Sequence, residues 1–196
     1  MTSAPTTKRY ILCVIAALLA GACRQPGERE PVQVVNFAGR LARAELRPSA
    51  GFDTTIHAAD RIARPSIVMP VPARAIWSLP LPRRGVFRAF VSLDAAGHPS
   101  APVRFRVGVS DDRVYEGLAA CELQGEPGWT ELRADLSAFA GFKWSLFYRP
   151  DRVTWRVVLS TDAIGPTSAQ AVWGSPELVT DASAAREYAR RIRTDP

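Results

Sequence analysis

The most constraining feature of this sequence is a two-residue alternation that returns in separate short runs. Val103, Phe105, Val107 and Val109 fall on one face of an extended chain, and Arg104 and Arg106 fall on the other. Val153, Trp155, Val157 and Leu159 repeat the pattern opposite Thr154, Arg156 and Ser160. A strand that buries one face only needs an antiparallel sheet packed against a second layer. Further runs of β-formers cover Ser66–Met69, Ala73–Leu79, Val86–Leu93, Val114–Leu123, Thr130–Leu136, Trp144–Tyr148 and Ala171–Val179. Pro70, Pro72, Pro80, Pro82, Pro99, Pro102, Pro127, Pro150 and Pro176 read as lying between the runs or at their ends, where a missing N–H costs least. No long helical period alternates with the runs, which argues against an α/β fold. The expectation is an all-β, antiparallel, jelly-roll-like β-sandwich.

The flanks predict less regular structure. A brief strand is expected over Val32–Val35 and a short helix around Phe37–Leu46, with Asn36 placed to cap it. Residues 48–65 contain Pro48, Gly51, Asp53 and Asp60 and hold no lasting period, so they predict a loop with a short strand near Ile56. At the other end Asp181 can cap a helix over Ala182–Ile192, with Ala185, Tyr188 and Ile192 on one stripe and Glu187–Arg191 as an i,i+4 pair. So few apolar positions make this helix marginal without a partner surface. The sandwich is therefore expected over residues 32–180 and a helical tail over 181–196.

The first 31 residues carry a different signal. Lys8 and Arg9 precede an uncharged run from Tyr10 to Ala22 that ends in small residues. At ~1.5 Å per residue this run spans roughly 20 Å, short of a ~30 Å bilayer core, and so predicts a cleaved signal over residues 1–22. Leu18-Leu19-Ala20-Gly21-Ala22-Cys23 resembles the lipobox of bacterial lipoproteins, with Ala20 where that family most often has Leu. The resemblance implies acylation of Cys23 and attachment to a membrane of the bacterial cell envelope; an ordinary signal peptide is the alternative. Acyl chains contribute ~0.8 kcal/mol per buried methylene, so two or three of them hold a protein on a bilayer almost permanently. Arg24 stands where an Asp would favour retention at the inner membrane, which points to the outer one. Residues 23–31 then form a polar, Pro- and Gly-containing tether.

Charge excludes some partners. The chain has 25 basic and 19 acidic residues, and loss of Lys8 and Arg9 with the signal leaves a net charge of +4. Most bases are arginines scattered among acids rather than gathered in a stripe with stacking aromatics, so nucleic acid is not an expected partner. With Cys13 in the signal and Cys23 acylated, Cys121 is single and no internal disulfide forms.

Residues 129–179 hold the most specific local pattern. Trp129 begins WTELRADLSAFAG, which is followed by Trp155 in a strand and then by Ala171-Val172-Trp173-Gly174-Ser175-Pro176. This resembles galactose-binding-like jelly rolls, and the likeness extends over roughly residues 66–179. It implies a sandwich module of the carbohydrate-binding-module kind, many of which bind sugars and are attached to bacterial surface enzymes. The binding residues of that group sit in variable loops, so none carries over to a position here.

The catalytic inventory is thin. His57 and His98 are the only imidazoles, and no G-x-S-x-G turn accompanies them. Metal-ligand spacing is absent, and no cofactor is expected. Cys121 lies in a strand-like run with no base near it in sequence. Asp111-Asp112-Arg113 reads first as a turn between strands, and as a loop-tip contact to hydroxyls or a cation second. Trp144 and Tyr148 share a face and are the first place to look for an aromatic sugar platform. The leading expectation is a non-catalytic envelope module binding a glycan or an enzyme partner. The alternatives are an assembly lipoprotein docking a membrane protein, and a hydrolase with a loop-borne site.

Overall fold

In the computed structural model, residues 30–94, 101–125, 128–140, 154–163, 165, 167 and 169–194 are described. Among the described residues eleven strands form two antiparallel sheets. They are β1 (Val32–Asn36), β2 (Glu45–Arg47), β3 (Asp53–Ala59), β4 (Ile62–Met69), β5 (Ala73–Leu79), β6 (Val86–Leu93), β7 (Val103–Ser110), β8 (Tyr115–Leu123), β9 (Thr130–Asp135), β10 (Trp155–Ala163) and β11 (Ala171–Thr180). One sheet runs β3-β4-β11-β6-β9, with β1 paired to the second half of β11; the other runs β2-β5-β10-β7-β8. We call them the β11 sheet and the β10 sheet after their central strands. A 3-10 segment covers Ala38–Arg43, a single helical turn Ser137–Ala140, and the C-terminal helix Ala182–Thr194.

The alternating residues make the core between the sheets. Val103, Phe105, Val107 and Val109 are all essentially inaccessible, as are Val157 and Leu159. Rings stitch the layers together in edge-to-face and tilted pairs, geometries that aromatic quadrupoles favour over flat stacking. Phe105 of the β10 sheet meets Trp173 of the β11 sheet at 5.4 Å, and Phe37 lies 5.0 Å from Trp77 and 5.7 Å from Phe87.

The strands over Ala73–Leu79 and Val86–Leu93 match the sequence reading residue for residue, whereas the flanks differ from it. The helix expected to Leu46 is a 3-10 segment that ends at Arg43, and Glu45–Arg47 extends to pair with β5. The N-cap position falls on Phe37 rather than Asn36, although Asn36 Oδ1, one residue earlier, accepts from Gly39 N at 3.1 Å. Residues 53–65, expected to be loop with a short strand near Ile56, instead join the expected Ser66–Met69 strand in a β-hairpin over 53–69. Its two-residue turn is Asp60-Arg61, with φ of 49° and 62°. Such turns normally advertise themselves by glycine or asparagine, and here neither is present. Pro176 does not end a strand but sits inside β11, beside a register shift between Gly174 and Glu177. A bulge is where an interior proline is tolerated.

The C-terminal helix is capped as expected, Asp181 Oδ1 accepting from Ser183 N and Ala184 N at 2.8 and 3.0 Å. Its buried stripe is Ala184 and Tyr188, one residue out of phase with the expected Ala185, and Ile192 is exposed. Glu187 approaches Arg83 at 3.5 Å, before β6, and Tyr188 joins the main core. Burial raises the Tyr188 hydroxyl pKa above its ordinary value. That packing supplies the stability that helical propensity alone would not.

Candidate functional site

The outer face of the β10 sheet carries a depression of about 320 Å³. Strand register builds it in rows. Arg47, Arg74, Ser160 and Arg106 stand directly opposite one another across β2, β5, β10 and β7. The next row holds Glu45, Ile76, Val158 and Gly108, and the row beyond it holds Arg156, Ser110 and Tyr115. Ile76 and Val158 form an apolar floor, each less than a tenth exposed, while arginines and serines line the walls.

Tyr115 borders this depression because of a glycine. Its ring lies against Gly108, where a methyl group would come within 2.6 Å of Cε2 and Cζ. A methyl at Gly117, opposite Gly108 in register, would be 3.8 Å from Cε1. The missing side chain at Gly108 lets the ring rest on the sheet, a methyl at Gly117 would still fit, and 47 % of Tyr115 stays exposed. An aromatic ring held flat beside polar groups is the arrangement that stacks on a sugar's C–H face while its hydroxyls find partners.

The cations of the site differ in how they are held. Glu45 binds Arg47 through its Oε1, 2.8 Å from Nε, and binds Arg156 through its Oε2 at 2.5 Å. The hydrogen bond from Arg47, helped by both cations, holds the Glu45 carboxyl below its ordinary range. Arg156 also meets Asp112 at 2.6 Å, and Arg106 Nη2 pairs with Asp162. The Arg74 side chain has neither an ion pair nor a hydrogen bond among the described residues. Arg106 Nε is buried and likewise lacks a hydrogen-bond partner.

The sequence-expected residues fall around this site unevenly. Asp111 and Asp112 are in the β7–β8 turn. The Asp111 carboxylate is committed to that turn, accepting from Arg113 N at 3.1 Å and Val114 N at 2.9 Å. Asp112, at φ 71°, turns back so that its carboxylate reaches Arg156 on the wall of the depression. Arg113 is exposed at the turn. Trp144, Tyr148, Cys23 and His98 lie outside the described residues. Arg47, Arg74, Arg106, Arg156, Ser160 and Tyr115 were not singled out as site residues from sequence. Their signal was the polar half of the alternation, namely arginine and serine at outward positions, with glycine beside tyrosine.

Other chemistry-bearing groups are engaged elsewhere. His57 meets the Trp129 ring edge-on at 5.6 Å, on the outside of the β11 sheet, and Asp60 accepts from Trp129 N at 3.0 Å. Burial pushes the Cys121 thiol up to about 11, so it stays protonated at neutral pH. Among the described residues no group of three or more His, Cys, Asp or Glu could hold a metal ion.

No protein-family model matches the chain, and no curated protein matches it in sequence. Solved structures do resemble it. The CBM51 from Clostridium perfringens GH95, solved in complex with methyl-galactose, is similar over 74 % of this chain and 99 % of its own, with 14 % identity and a TM-score of 0.50. The CBM51-2 and INT domains of Clostridium perfringens ZmpB give 14 % identity and a TM-score of 0.44, over 79 % of this chain and 28 % of that one. The CBM22 tandem domain of Paenibacillus barcinonensis Xyn10C gives 13 % identity and a TM-score of 0.49, over 80 % of this chain and 48 % of that one. The chain thus spans well under half of the ZmpB structure and nearly all of the GH95 module. At such identities the likeness carries the fold, an antiparallel β-sandwich.

Proposed function

We propose that this chain is a non-catalytic carbohydrate-binding module, held on an envelope membrane through acylated Cys23. The observation that carries the glycan half is the Tyr115 ring resting on Gly108 beside a polar depression. It provides an aromatic face, hydroxyls at Ser110 and Ser160 and guanidinium donors within one concavity, the combination that orients a saccharide. The fold shared with a module solved with methyl-galactose supports the same reading. The lipobox-like stretch before Cys23 supports the anchor, and the outer membrane is the proposed destination because Arg24 follows it.

Affinity electrophoresis of the full-length chain through gels containing a panel of polysaccharides tests the glycan half. At least one polysaccharide should retard the protein, and Tyr115→Ala should abolish the retardation. Absence of retardation across the panel removes this reading. Metabolic labelling with an alkyne fatty acid tests the anchor: label should enter the wild type and not Cys23→Ser.

A further inference from the structure

The depression holds cationic and hydrogen-bonding capacity that the protein does not use. Across β2, β5, β10 and β7 the side chains Arg47, Arg74, Ser160 and Arg106 form one continuous row. Three strand spacings separate its ends, roughly 14 Å, which is longer than one sugar ring. Like charges directly opposite each other on neighbouring strands destabilise a sheet, and Arg47 and Arg74 stand in that relation. Glu45 offsets Arg47 and Asp162 offsets Arg106, but both carboxylates lie outside the row. Arg74, between them, is exposed and has no counterion among the described residues. Arg106 Nε is a second unused donor, buried within the same wall.

We infer that the ligand is an acidic glycan, with a carboxylate or sulfate of the chain seated between Arg74 and Arg106. This inference rests on the glycan-binding reading above and adds the charge of the sugar to it. The planar guanidinium of Arg74 offers a two-pronged fit to a carboxylate or sulfate, and Ser160 lies between the two arginines to donate a third hydrogen bond. Tyr115 then stacks on a neighbouring ring of the same chain.

Matched polymers decide the matter, run in affinity gels with the full-length chain in a non-ionic detergent. The pairs are polygalacturonate with its fully methyl-esterified form, and dextran sulfate with dextran. The acidic member should retard the protein, with retardation weakening as salt rises. Arg74→Gln should weaken it roughly tenfold, whereas Arg133→Gln, which removes the same charge from β9 on the other sheet, should leave it close to wild type. Equal or stronger retardation by the neutral member overturns the charge assignment and leaves the glycan reading standing. An equal loss in the Arg74 and Arg133 variants also overturns it, because net charge alone would then explain retention. Failure of both members of both pairs, together with the wider panel, removes the glycan reading and this inference with it.

Discussion

The two sheets use the same device on their outer faces to opposite ends. On the β11 sheet the Trp129 ring lies over Gly174, where a methyl group would come within 2.6 Å of it. On the β10 sheet Tyr115 lies over Gly108 in the same manner. Trp129 is tied down, its Nε1 donating to Ile62 O at 2.8 Å and its backbone N–H donating to Asp60. Beneath it the Arg64 guanidinium sits 3.4 Å from the Phe90 ring and 5.7 Å from the Trp129 ring, so π-faces meet its charge. Ser66, Ser92 and Val172 on this face are fully buried. On the β10 sheet the ring is half exposed, and its arginines are met by carboxylates or by nothing. One face is closed upon itself, and the other is left able to receive something.

The difference can be broken from the closed side first. Trp129→Ala should lower unfolding free energy by about 2–4 kcal/mol in a denaturant titration, since it uncovers Arg64, Phe90 and His57 together. Gly174→Ala should cost about 1–3 kcal/mol by overpacking, because the ring it would push is pinned and Arg64 Cδ stands 3.0 Å away. On the open side Tyr115→Ala should change stability by no more than about 0.5 kcal/mol while removing polysaccharide retardation. A large stability loss there would make Tyr115 a structural cover like Trp129 and erase the contrast. The smallest effect concerns Glu45, whose carboxyl is held below its ordinary range by Arg47 and Arg156. A folded-state value below the unfolded one stabilises the charged form. The contribution is therefore complete at neutral pH and is lost as pH falls through about 4 and below. Wild type and Glu45→Gln should differ slightly in melting temperature at pH 7 and converge in acid.

How much of this was legible in sequence depended on what each residue had to report. Val103 to Val109 announce their inward face because burial demands apolar side chains at every second place. The polar places between them are free to vary with solvent, so Arg104, Arg106 and Arg156 looked like ordinary surface. What sets Arg106 apart is its registration with Arg47 and Arg74 from distant parts of the chain, which no local window contains. Thr54, Thr55 and Ile56 were not seen as part of a full strand because β3 is exposed over most of its length and so carries no burial pattern. Asp112 was singled out for the tip of a turn, but its bond to Arg156 depends on a left-handed backbone that an Asp does not advertise.

The register shift beside Pro176 means that one long strand is partnered in tandem on the same flank. β4 covers Ala171–Gly174, and β1 covers Glu177–Thr180. Phe37 N closes the seam by donating to Pro176 O at 3.0 Å. β1 is thus the last plank of the wall rather than an ornament on it. A molecule clipped after residue 37 would bare the backbone along Leu178 and Val179, a ready template for the same segment of another copy.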